Sequence, residues 1–500
     1  MIYTSIKQNA YFDSVSLMLI SSRLGSVADI EDAAAMMGTD HNKELLQQSG
    51  LLTAEQAKTV TGNDLVIGIK ASQQSAIDAA LVVLEEQFQN KKTASTSQTR
   101  AKTLDAAIKQ SPNANLSVIS LPGRFAAAEA MKALKKGLHV LLFSDNVSVE
   151  EEIELKQYAV SQGLLMMGPD CGTAIINGVA LGFANVVREG AIGLAAASGT
   201  GLQEVSTLID RLGGGVSQAL GTGGRDLKAQ VGGLMMKQSL DALEADPRTK
   251  VIGIVSKPPS PEVTQSILDQ VSSYSKPIVA CFLGGDPSMV EGSNVVWAND
   301  LEDAAVKLVA LAGATAQAES LTGQVPTVTP AKGQYIRALY AGGTLAYETL
   351  LYFKDVLPDV FSNIASTKEM TLANVEVSQG NTVLDLGEDY FTDGKPHPMI
   401  DPTLRTERII RDAKDGSTKI ILFDCVIGYG AHDNPAQPII DAMQAVRKER
   451  TDVLFIGSVT GTEGDPQTRS LQVQALKEAG ALVLPTNIQA ARFAVQALEG

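Results

Sequence analysis

Apolar and polar residues follow two different periods along most of this chain. From residue 115 onward, nearly continuous apolar runs such as NLSVISLP and HVLLFSD alternate with segments such as GRFAAAEAMKALKKG, where apolar residues recur every three or four positions. The continuous runs are typical of strands buried in a parallel sheet, and the longer period is typical of helices that cover it. We therefore predict an α/β fold with parallel sheets.

Residues 1–100 show these periods less regularly. They contain a short strand, a helix over YFDSVSLMLISSRL, a strand over NDLVIGIKA and a helix over QQSAIDAALVVLEEQFQ. The polar stretch NKKTASTSQTRAKT follows without any period, as an exposed linker does. We expect an N-terminal α/β segment with its linker over residues 1–100 and a βαβ domain over residues 101–188.

A further unit occurs twice in the second half of the chain. GAIGLAAAS followed by GTGLQEVSTLIDRLG is matched by QYIRALYAG followed by GTLAYETLLYFKDV, and three more segments match in the same order. Several elements in the same order indicate an internal repeat. We predict two small doubly wound domains over residues 189–320 and 333–500, with a boundary in the small-residue stretch AGATAQAESLTGQVPTVTPAKG.

Each copy places a small-residue turn between a strand and a helix. The N–H groups that begin a helix have no internal partner, and with the helix dipole they favour an anion such as phosphate. The alternative is that the glycines only allow a helix to pack closely on a strand. Because the turn occurs twice, we expect an anion site formed by Ser198, Gly199, Thr200, Gly201, Gly342, Gly343, Thr344 and Leu345.

Charged residues near these turns are the candidates for catalysis and substrate binding. Glu204 and Glu348 follow the turns at equivalent positions, where they either complement the helix dipole or orient a substrate. The equivalent loops LGTGGRDLK and GEDYFTDGKPHPMIDP supply a carboxylate or phosphate clamp and a general acid or base. These loop candidates are Arg225, Lys228, Lys395, His397 and Asp401.

Two of these assignments have alternatives. His397 lies between prolines, and a surface histidine without a catalytic role is equally consistent with that position; His432 is a weaker second candidate. Cys171 in GPDCGT is a nucleophile by residue type, but no activating group stands near it in sequence, which favours a buried structural thiol.

Composition narrows the class of protein. A chain of 500 residues suggests about three domains, and its net charge of −15 disfavours nucleic acid or an anionic membrane as partner. Cys171, Cys281 and Cys425 stand far apart, which argues against a disulfide framework or a zinc site. With no signal peptide and no long apolar run, we expect a cytoplasmic protein without a metal.

The motifs MMGPDCGTAIING, AAASGTGLQEV, GTGGRDLK, VSKPP and KPIVACFLGG resemble the α subunit of succinyl-CoA synthetase over residues 115–310. Residues 333–500 resemble the ligase domain of the β subunit of that enzyme. The resemblance implies a Rossmann-like domain of the CoA-binding type and two flavodoxin-like ligase domains. In that enzyme class two helices, one from each ligase domain, point their N-termini at one phosphate.

Three departures from the synthetase pattern change the implied chemistry. The phospho-accepting histidine of a GHAGA stretch has no counterpart, because DPSMVEGSNVVWAND follows KPIVACFLGG. The β-like part has no room for a nucleotide-binding ATP-grasp domain, and no Gly-rich loop for CoA phosphates precedes residue 115. These departures argue against a phosphohistidine relay, and we expect no cofactor.

YFDSVSLMLISSRL, LFSDNVSVEEEIELK, MGPDCGT and GKPHPMIDPTLR are similar to the FdrA family across nearly the whole chain. That family is associated with purine and allantoin breakdown. The resemblance implies carbamoyl transfer, in which oxalurate and phosphate form oxamate and carbamoyl phosphate, within a complex of several subunits. An acid–CoA ligase of the synthetase type and a non-catalytic scaffold subunit are the alternatives.

Overall fold

The computed structural model of the chain describes residues 1–8, 10, 12, 14–25, 27–93, 101, 103–313, 321, 333–392 and 395–499. It separates into two compact units. The first consists of Met1–Asn113 and Asp389–Asp401, and the second of Ala114–Glu388 and Pro402–Gly500. The expected linker over 90–103 and the boundary over 312–333 lie largely outside the described residues.

The strands and helices are numbered in chain order. The strands are β1 Ile2–Lys7, β2 Ile30–Met37, β3 Leu65–Ala71, β4 Leu116–Ile119, β5 His139–Leu142, β6 Met166–Met167, β7 Thr173–Ile176, β8 Val179–Gly182, β9 Glu189–Ala196, β10 Val216–Gly221, β11 Val251–Ser256, β12 Ile278–Phe282, β13 Val295–Trp297, β14 Tyr335–Tyr340, β15 Val360–Ser362, β16 Asn381–Asp385, β17 Thr418–Val426, β18 Leu454–Thr460 and β19 Leu482–Leu484. The helices are α1 Ser14–Gly25, α2 Asp40–Gln48, α3 Ala54–Thr59, α4 Gln74–Thr93, α5 Leu104–Gln110, α6 Gly123–Lys135, α7 Val149–Ser161, α8 Gly199–Arg211, α9 Leu234–Ala245, α10 Pro261–Val271, α11 Leu301–Ala312, α12 Gly343–Val356, α13 Asp389–Thr392, α14 Thr403–Lys414, α15 Ala436–Arg447, α16 Arg469–Glu478 and α17 Asn487–Glu499.

The first unit is built on a three-stranded antiparallel sheet in the order β1-β3-β2. Helices α1 and α4 pack on it through apolar side chains, including Leu24 from α1 and Ile77 from α4, against Ile67 and Ile69 of the central strand. The predicted strands and helices of this segment are confirmed, whereas β2, α2 and α3 were not predicted. The Ala-rich sequence of β2, IEDAAAMM, lacks both the branched residues and the alternation of a typical strand.

The second unit begins with a small parallel sheet in the order β4-β5-β6, accompanied by α6 and α7. The strand–helix alternation predicted from residue 115 is confirmed here. Helix α7 has a capping box in which Ser148 and Glu151 satisfy each other's backbone N–H groups.

The two copies of the repeat form two larger sheets. Strands β10-β9-β11-β12-β13 are parallel neighbours in one sheet, and β16-β14-β17-β18-β19 are their counterparts in the other. Numbered within each copy, both follow the order 2-1-3-4-5 of flavodoxin-like domains. The predicted α/β fold class with two doubly wound domains is confirmed.

Each sheet also has strands beyond the five repeated ones, at the edge next to the second strand of the repeat. The antiparallel hairpin β7–β8 pairs with β10, and β15 pairs in parallel with β16. The hairpin lies in residues that we expected to belong to the domain over 101–188. Its strand pairing places it in the sheet of the first ligase-like domain instead.

Among the described residues, no helix combines the length and the apolar character that crossing a bilayer requires.

Candidate functional site

The two Gly-rich turns of the repeat lie side by side. The first connects β9 to α8, and the second connects β14 to α12. The hydroxyl oxygens of Ser198 and Thr344 are 2.7 Å apart, and the Thr344 N–H donates to Thr200 Oγ1 at 3.1 Å. The carboxyl ends of two parallel sheets, which is where doubly wound domains bind ligands, therefore meet at one place.

Several backbone N–H groups at this contact have no acceptor among the described residues. They belong to Ser198, Gly199 and Thr200 in the first turn and to Gly343 and Leu345 in the second. Gly199 is exposed and Gly343 is half-buried, so a small ligand can approach from solvent. Unpaired donors at two adjacent helix N-termini favour an anion.

The hydroxyl groups of the turns mainly join the turns to each other. Ser198 Oγ accepts the Gly201 N–H at 3.1 Å as the N-cap of α8, and it also pairs with Thr344 Oγ1. In a pair of hydroxyls only one donates to the other, so one proton remains for a further acceptor. The site thus offers both N–H and O–H donors.

Two N–H groups of the second turn already donate to a carboxylate of the protein. Asp424 accepts the Ala341 N–H at 2.9 Å and the Gly342 N–H at 2.6 Å, and it pairs with Arg405 at 2.8 Å. Asp424 is fully buried. The expected anion-binding role of Gly342 is therefore corrected, because its N–H already donates to Asp424.

A second buried carboxylate faces the same turn with one free oxygen. Asp385 ends β16 and is 6% exposed. Its Oδ1 accepts the Gly387 N–H at 2.9 Å. Its Oδ2 has no donor among the described residues and lies so close to Gly343 that a Cβ on that residue would overlap it. Burial raises the pKa of Asp385 to about 7, against the opposing effect of the Gly387 N–H.

An exposed cation lies near Asp385. Lys257 follows β11, and its Nζ is 4.6 Å from the centre of the Tyr347 ring on α12. Its positive charge acts to lower the pKa of Asp385. Lys257 thus supplies positive charge near the paired turns without being bound in an ion pair of its own among the described residues.

Glu204 and Glu348 are bound within the protein, so their expected catalytic role is corrected. Glu204 Oε1 accepts the Asn487 N–H at 3.3 Å, and its Oε2 accepts from the Thr460 hydroxyl. Glu348 Oε1 accepts the Leu301 N–H at 2.9 Å, and its Oε2 accepts from Asn487 Nδ2 at 2.8 Å. Each glutamate therefore caps the last helix of the other ligase-like domain, α17 or α11.

Both glutamates are buried, at 2% and 3% exposure, which leaves no oxygen for a substrate. Burial raises the pKa of Glu348 to about 8 and also raises the pKa of Glu204. The Asp300 charge adds to the shift at Glu348. The Leu345 carbonyl takes part in the same contact, where it accepts from Asn487 Nδ2 at 3.0 Å, and the role of the buried Leu345 N–H towards an anion stays a prediction.

Arg225 binds a carboxylate of the protein itself. Its Nε lies 2.9 Å from Glu152 Oε2, and its Nη2 donates to the Val147 carbonyl at 2.8 Å. The buried Lys156 lies between Glu152 and Asp226, 2.8 Å from each. The expectation that Arg225 clamps a substrate is corrected, because its guanidinium ties the loop after β10 to α7.

Three candidates from the second long loop belong to the first unit. His397 Nδ1 accepts the Met399 N–H at 3.2 Å, and the His397 carbonyl accepts from Ile400 and Asp401 at 2.8 and 3.0 Å. His397 and Asp401 are half-buried, and Lys395 is exposed. The roles of these three residues towards a substrate stay predictions.

The remaining candidates divide into buried and exposed side chains. Cys171 is 2% exposed, and burial raises the pKa of its thiol to about 12, as expected of a structural cysteine. His432 is half-buried, and its Nδ1 accepts the Asn434 N–H at 3.1 Å. Lys228 is exposed on the loop after β10, and its substrate-binding role stays a prediction.

Sequence reasoning missed Asp385, Asp424 and Lys257. The sequence did carry a signal for them, because each lies at or near the carboxyl end of an apolar strand, in VLDLG, LFDCV and IVSKPP. Polar side chains at the carboxyl ends of neighbouring parallel strands converge on the same crevice. What the sequence did not reveal is which of them lies against the Gly343 turn.

Three family models match separate parts of the chain. A model described as "AllF, heavy metal-associated domain" matches residues 1–104, a "CoA binding domain" matches residues 188–284 and "CoA-ligase" matches residues 339–497. The CoA binding domain model thus covers the first ligase-like domain, rather than the segment 101–188 to which we assigned that type. The segment that matches the heavy metal-associated domain contains no cysteine, because all three cysteines of the chain lie after residue 104.

Similar proteins include one of nearly the same length. The chain is 43% identical over 489 residues to the Escherichia coli protein named "Uncharacterized protein YahF", which covers 96% of this chain and 95% of that protein. It is 28% identical over 178 residues to the α subunit of the ADP-forming succinate–CoA ligase of Methanothermobacter thermautotrophicus, which covers 34% of this chain and 57% of that subunit. The match thus spans little more than half of the ligase subunit.

A solved structure also aligns with much of the chain. It is the dinucleotide-forming acetyl-coenzyme A synthetase 1 of Ca. Korarchaeum cryptofilum in complex with phosphate and ADP. The alignment covers 77% of this chain and 82% of that one at 18% identity, with a TM-score of 0.34.

Proposed function

The chain belongs to the same family as the Escherichia coli protein YahF, and from that premise we propose that it is an FdrA-type carbamoyl transferase subunit. The reaction is the transfer of a carbamoyl group between oxalurate and phosphate, which yields oxamate and carbamoyl phosphate. The AllF name of the N-terminal match supports this proposal, because it points to allantoin breakdown. The FdrA resemblance points to the same pathway.

The observation that carries the proposal is the contact between the two turns. Free N–H groups of Gly199, Thr200 and Gly343 converge where Ser198 and Thr344 touch. Such a site suits phosphate bound without nucleotide. Phosphate would lie on the turn of α8, and the same donors would stabilise the negative charge that develops on the carbamoyl carbonyl oxygen.

The carboxylate of the substrate needs a cation at this site. Arg225 is engaged with Glu152, so Lys257 is the better candidate. Lys257 is exposed and lies against Tyr347 of α12, whose first turn carries the Gly343 N–H. Holding phosphate and the carbamoyl donor on adjacent elements would supply much of the rate through proximity.

An acid–CoA ligase is the second candidate. Matches to the CoA-ligase and CoA binding domain models favour it, as does the similarity to an ADP-forming ligase subunit. In that case, nucleotide binding would come from another subunit. A scaffold subunit without chemistry of its own is the third reading.

One experiment separates these three readings. The full chain, alone and with the products of neighbouring genes, is incubated with oxalurate and phosphate, and carbamoyl phosphate is followed by phosphorus NMR. Carbamoyl phosphate formed without nucleotide or CoA supports the transferase. A thioester that forms only when ATP and CoA are added supports the ligase instead. A chain that neither turns over substrate nor binds phosphate is a scaffold.

A further inference from the structure

Two buried carboxylates face the second turn, but only one of them has partners for both of its oxygens. Asp424 uses both oxygens, on the Ala341 and Gly342 N–H groups and on Arg405. Asp385 uses Oδ1 on the Gly387 N–H, while its Oδ2 has no donor among the described residues. The difference indicates that Asp424 is structural, whereas Asp385 has a free oxygen directed into the site.

We propose that Asp385 is the acid–base catalyst of the carbamoyl transfer, and this inference rests on the proposed function. It gives a proton to the amide nitrogen that leaves the carbamoyl group, and it accepts that proton in the reverse direction. Its Oδ2 lies against Gly343, whose N–H is one of the free donors of the anion site. The proton donor and the oxyanion donors are thus adjacent.

The chemistry of the transfer requires such a group. An oxygen of hydrogen phosphate attacks the ureido carbonyl carbon of oxalurate and forms the new C–O bond. The C–N bond then breaks, and the leaving nitrogen takes the proton of Asp385 because an amide anion is a poor leaving group. The Asp385 carboxylate recovers a proton from the P–OH group that hydrogen phosphate brought in. Oxamate and carbamoyl phosphate result, and no other reactant is needed.

The surroundings of Asp385 suit a group that must both give and take a proton. Burial raises its pKa to about 7, and the charges of Glu388 and Asp424 act in the same direction. The Gly387 N–H and the charge of Lys257 oppose that shift. A carboxyl group that titrates near neutral pH transfers protons in both directions at a useful rate.

The test compares Asp385→Asn with the wild-type chain, in the presence of whichever subunits the wild-type reaction requires. The asparagine keeps an oxygen for the Gly387 N–H but carries no exchangeable carboxyl proton. We expect carbamoyl transfer between oxalurate and phosphate to fall by roughly 100-fold or more in both directions. Transfer from carbamoyl phosphate to hydroxylamine, which attacks without a base, should change by less than about threefold.

Two further readouts separate catalysis from folding. Wild-type formation of carbamoyl phosphate should decline as pH rises above about 7, and Asp385→Asn should lack that decline. Phosphate affinity should stay or rise in the variant, because a nearby negative charge is removed. Asp355→Asn, an exposed position at the other end of α12, is the matched control and should behave as wild type.

The outcomes distinguish this inference from the function on which it rests. If Asp385→Asn keeps its transfer rate within about threefold, or loses hydroxylamine transfer equally, Asp385 is not the acid–base catalyst and the transferase proposal stands. If the wild-type chain forms no carbamoyl phosphate in any mixture, the proposed function fails and the inference fails with it.

Discussion

At the scale of single residues, Glu348 makes the stability of this protein depend on pH. Burial raises its pKa to about 8 in the folded chain, while the unfolded chain has a glutamate pKa near 4.3. Between these values the folded state holds a proton that the unfolded state has lost, so stability falls as pH rises from about 4 to about 8. Glu204 acts in the same direction.

The variant Glu348→Gln tests this dependence. A glutamine does not titrate, so the decrease in unfolding free energy between pH 5.5 and 8.5 should become smaller by about 1 kcal/mol or more. The measurement is urea unfolding at both pH values. Glu369→Gln, at an exposed glutamate, is the control and should leave the wild-type dependence unchanged. An equal pH dependence in Glu348→Gln and wild type would show that Glu348 is already ionised at pH 5.5.

Single residues also mark the limit of sequence reasoning at the site. The Gly-rich turns could be predicted because they occur twice and precede helices. The partners of Arg225 and Glu348 could not, because Glu152 and Asn487 come from elements far away in the chain. The sequence therefore identifies which residues can bind an anion or a charge, whereas the fold decides which of them are already engaged.

At the scale of secondary-structure elements, nearly continuous apolar strands made the two doubly wound sheets predictable. The hairpin β7–β8 could also have been predicted, because Asn177–Gly178 connects its strands with positive φ at both residues. Strand β15 covers only three residues and has no such signal. Short edge strands depend on the neighbouring strand more than on their own sequence.

Glu348 caps α11 and Glu204 caps α17, so each glutamate caps a helix of the other ligase-like domain. This crossed capping leads to a prediction at the scale of secondary-structure elements. Asn487 contributes its N–H to Glu204 and its side chain to Glu348, so Asn487→Ala leaves the buried Oε2 of Glu348 without a donor. We expect a loss of about 2–4 kcal/mol in unfolding free energy, measured by urea unfolding. Asn294→Ala, at an exposed asparagine, should cost less than about 0.5 kcal/mol. Similar costs for both variants would contradict the capping role.

At the scale of the second unit, the same contacts should make its two ligase-like domains unfold together. Trp297, the single tryptophan, lies in β13 and reports on the first domain. Hydrogen exchange of β14 and β17 reports on the second domain. In urea, the loss of Trp297 fluorescence and the loss of protection in β14 and β17 should have the same midpoint. Two separate midpoints would show that crossed capping does not couple the domains.

Binding of phosphate at the paired turns is the central claim, and titration calorimetry with inorganic phosphate tests it most directly. Gly199 is exposed and a Cβ there meets only Thr173 Oγ1 at 3.7 Å, so Gly199→Leu should fold normally while its side chain covers the free N–H groups. Gly224→Leu, in open space, is the control. We predict that wild type and Gly224→Leu bind phosphate and that Gly199→Leu binds it at least about tenfold more weakly, a loss of about 1.4 kcal/mol. Equal affinity in all three proteins would place phosphate elsewhere and contradict the account.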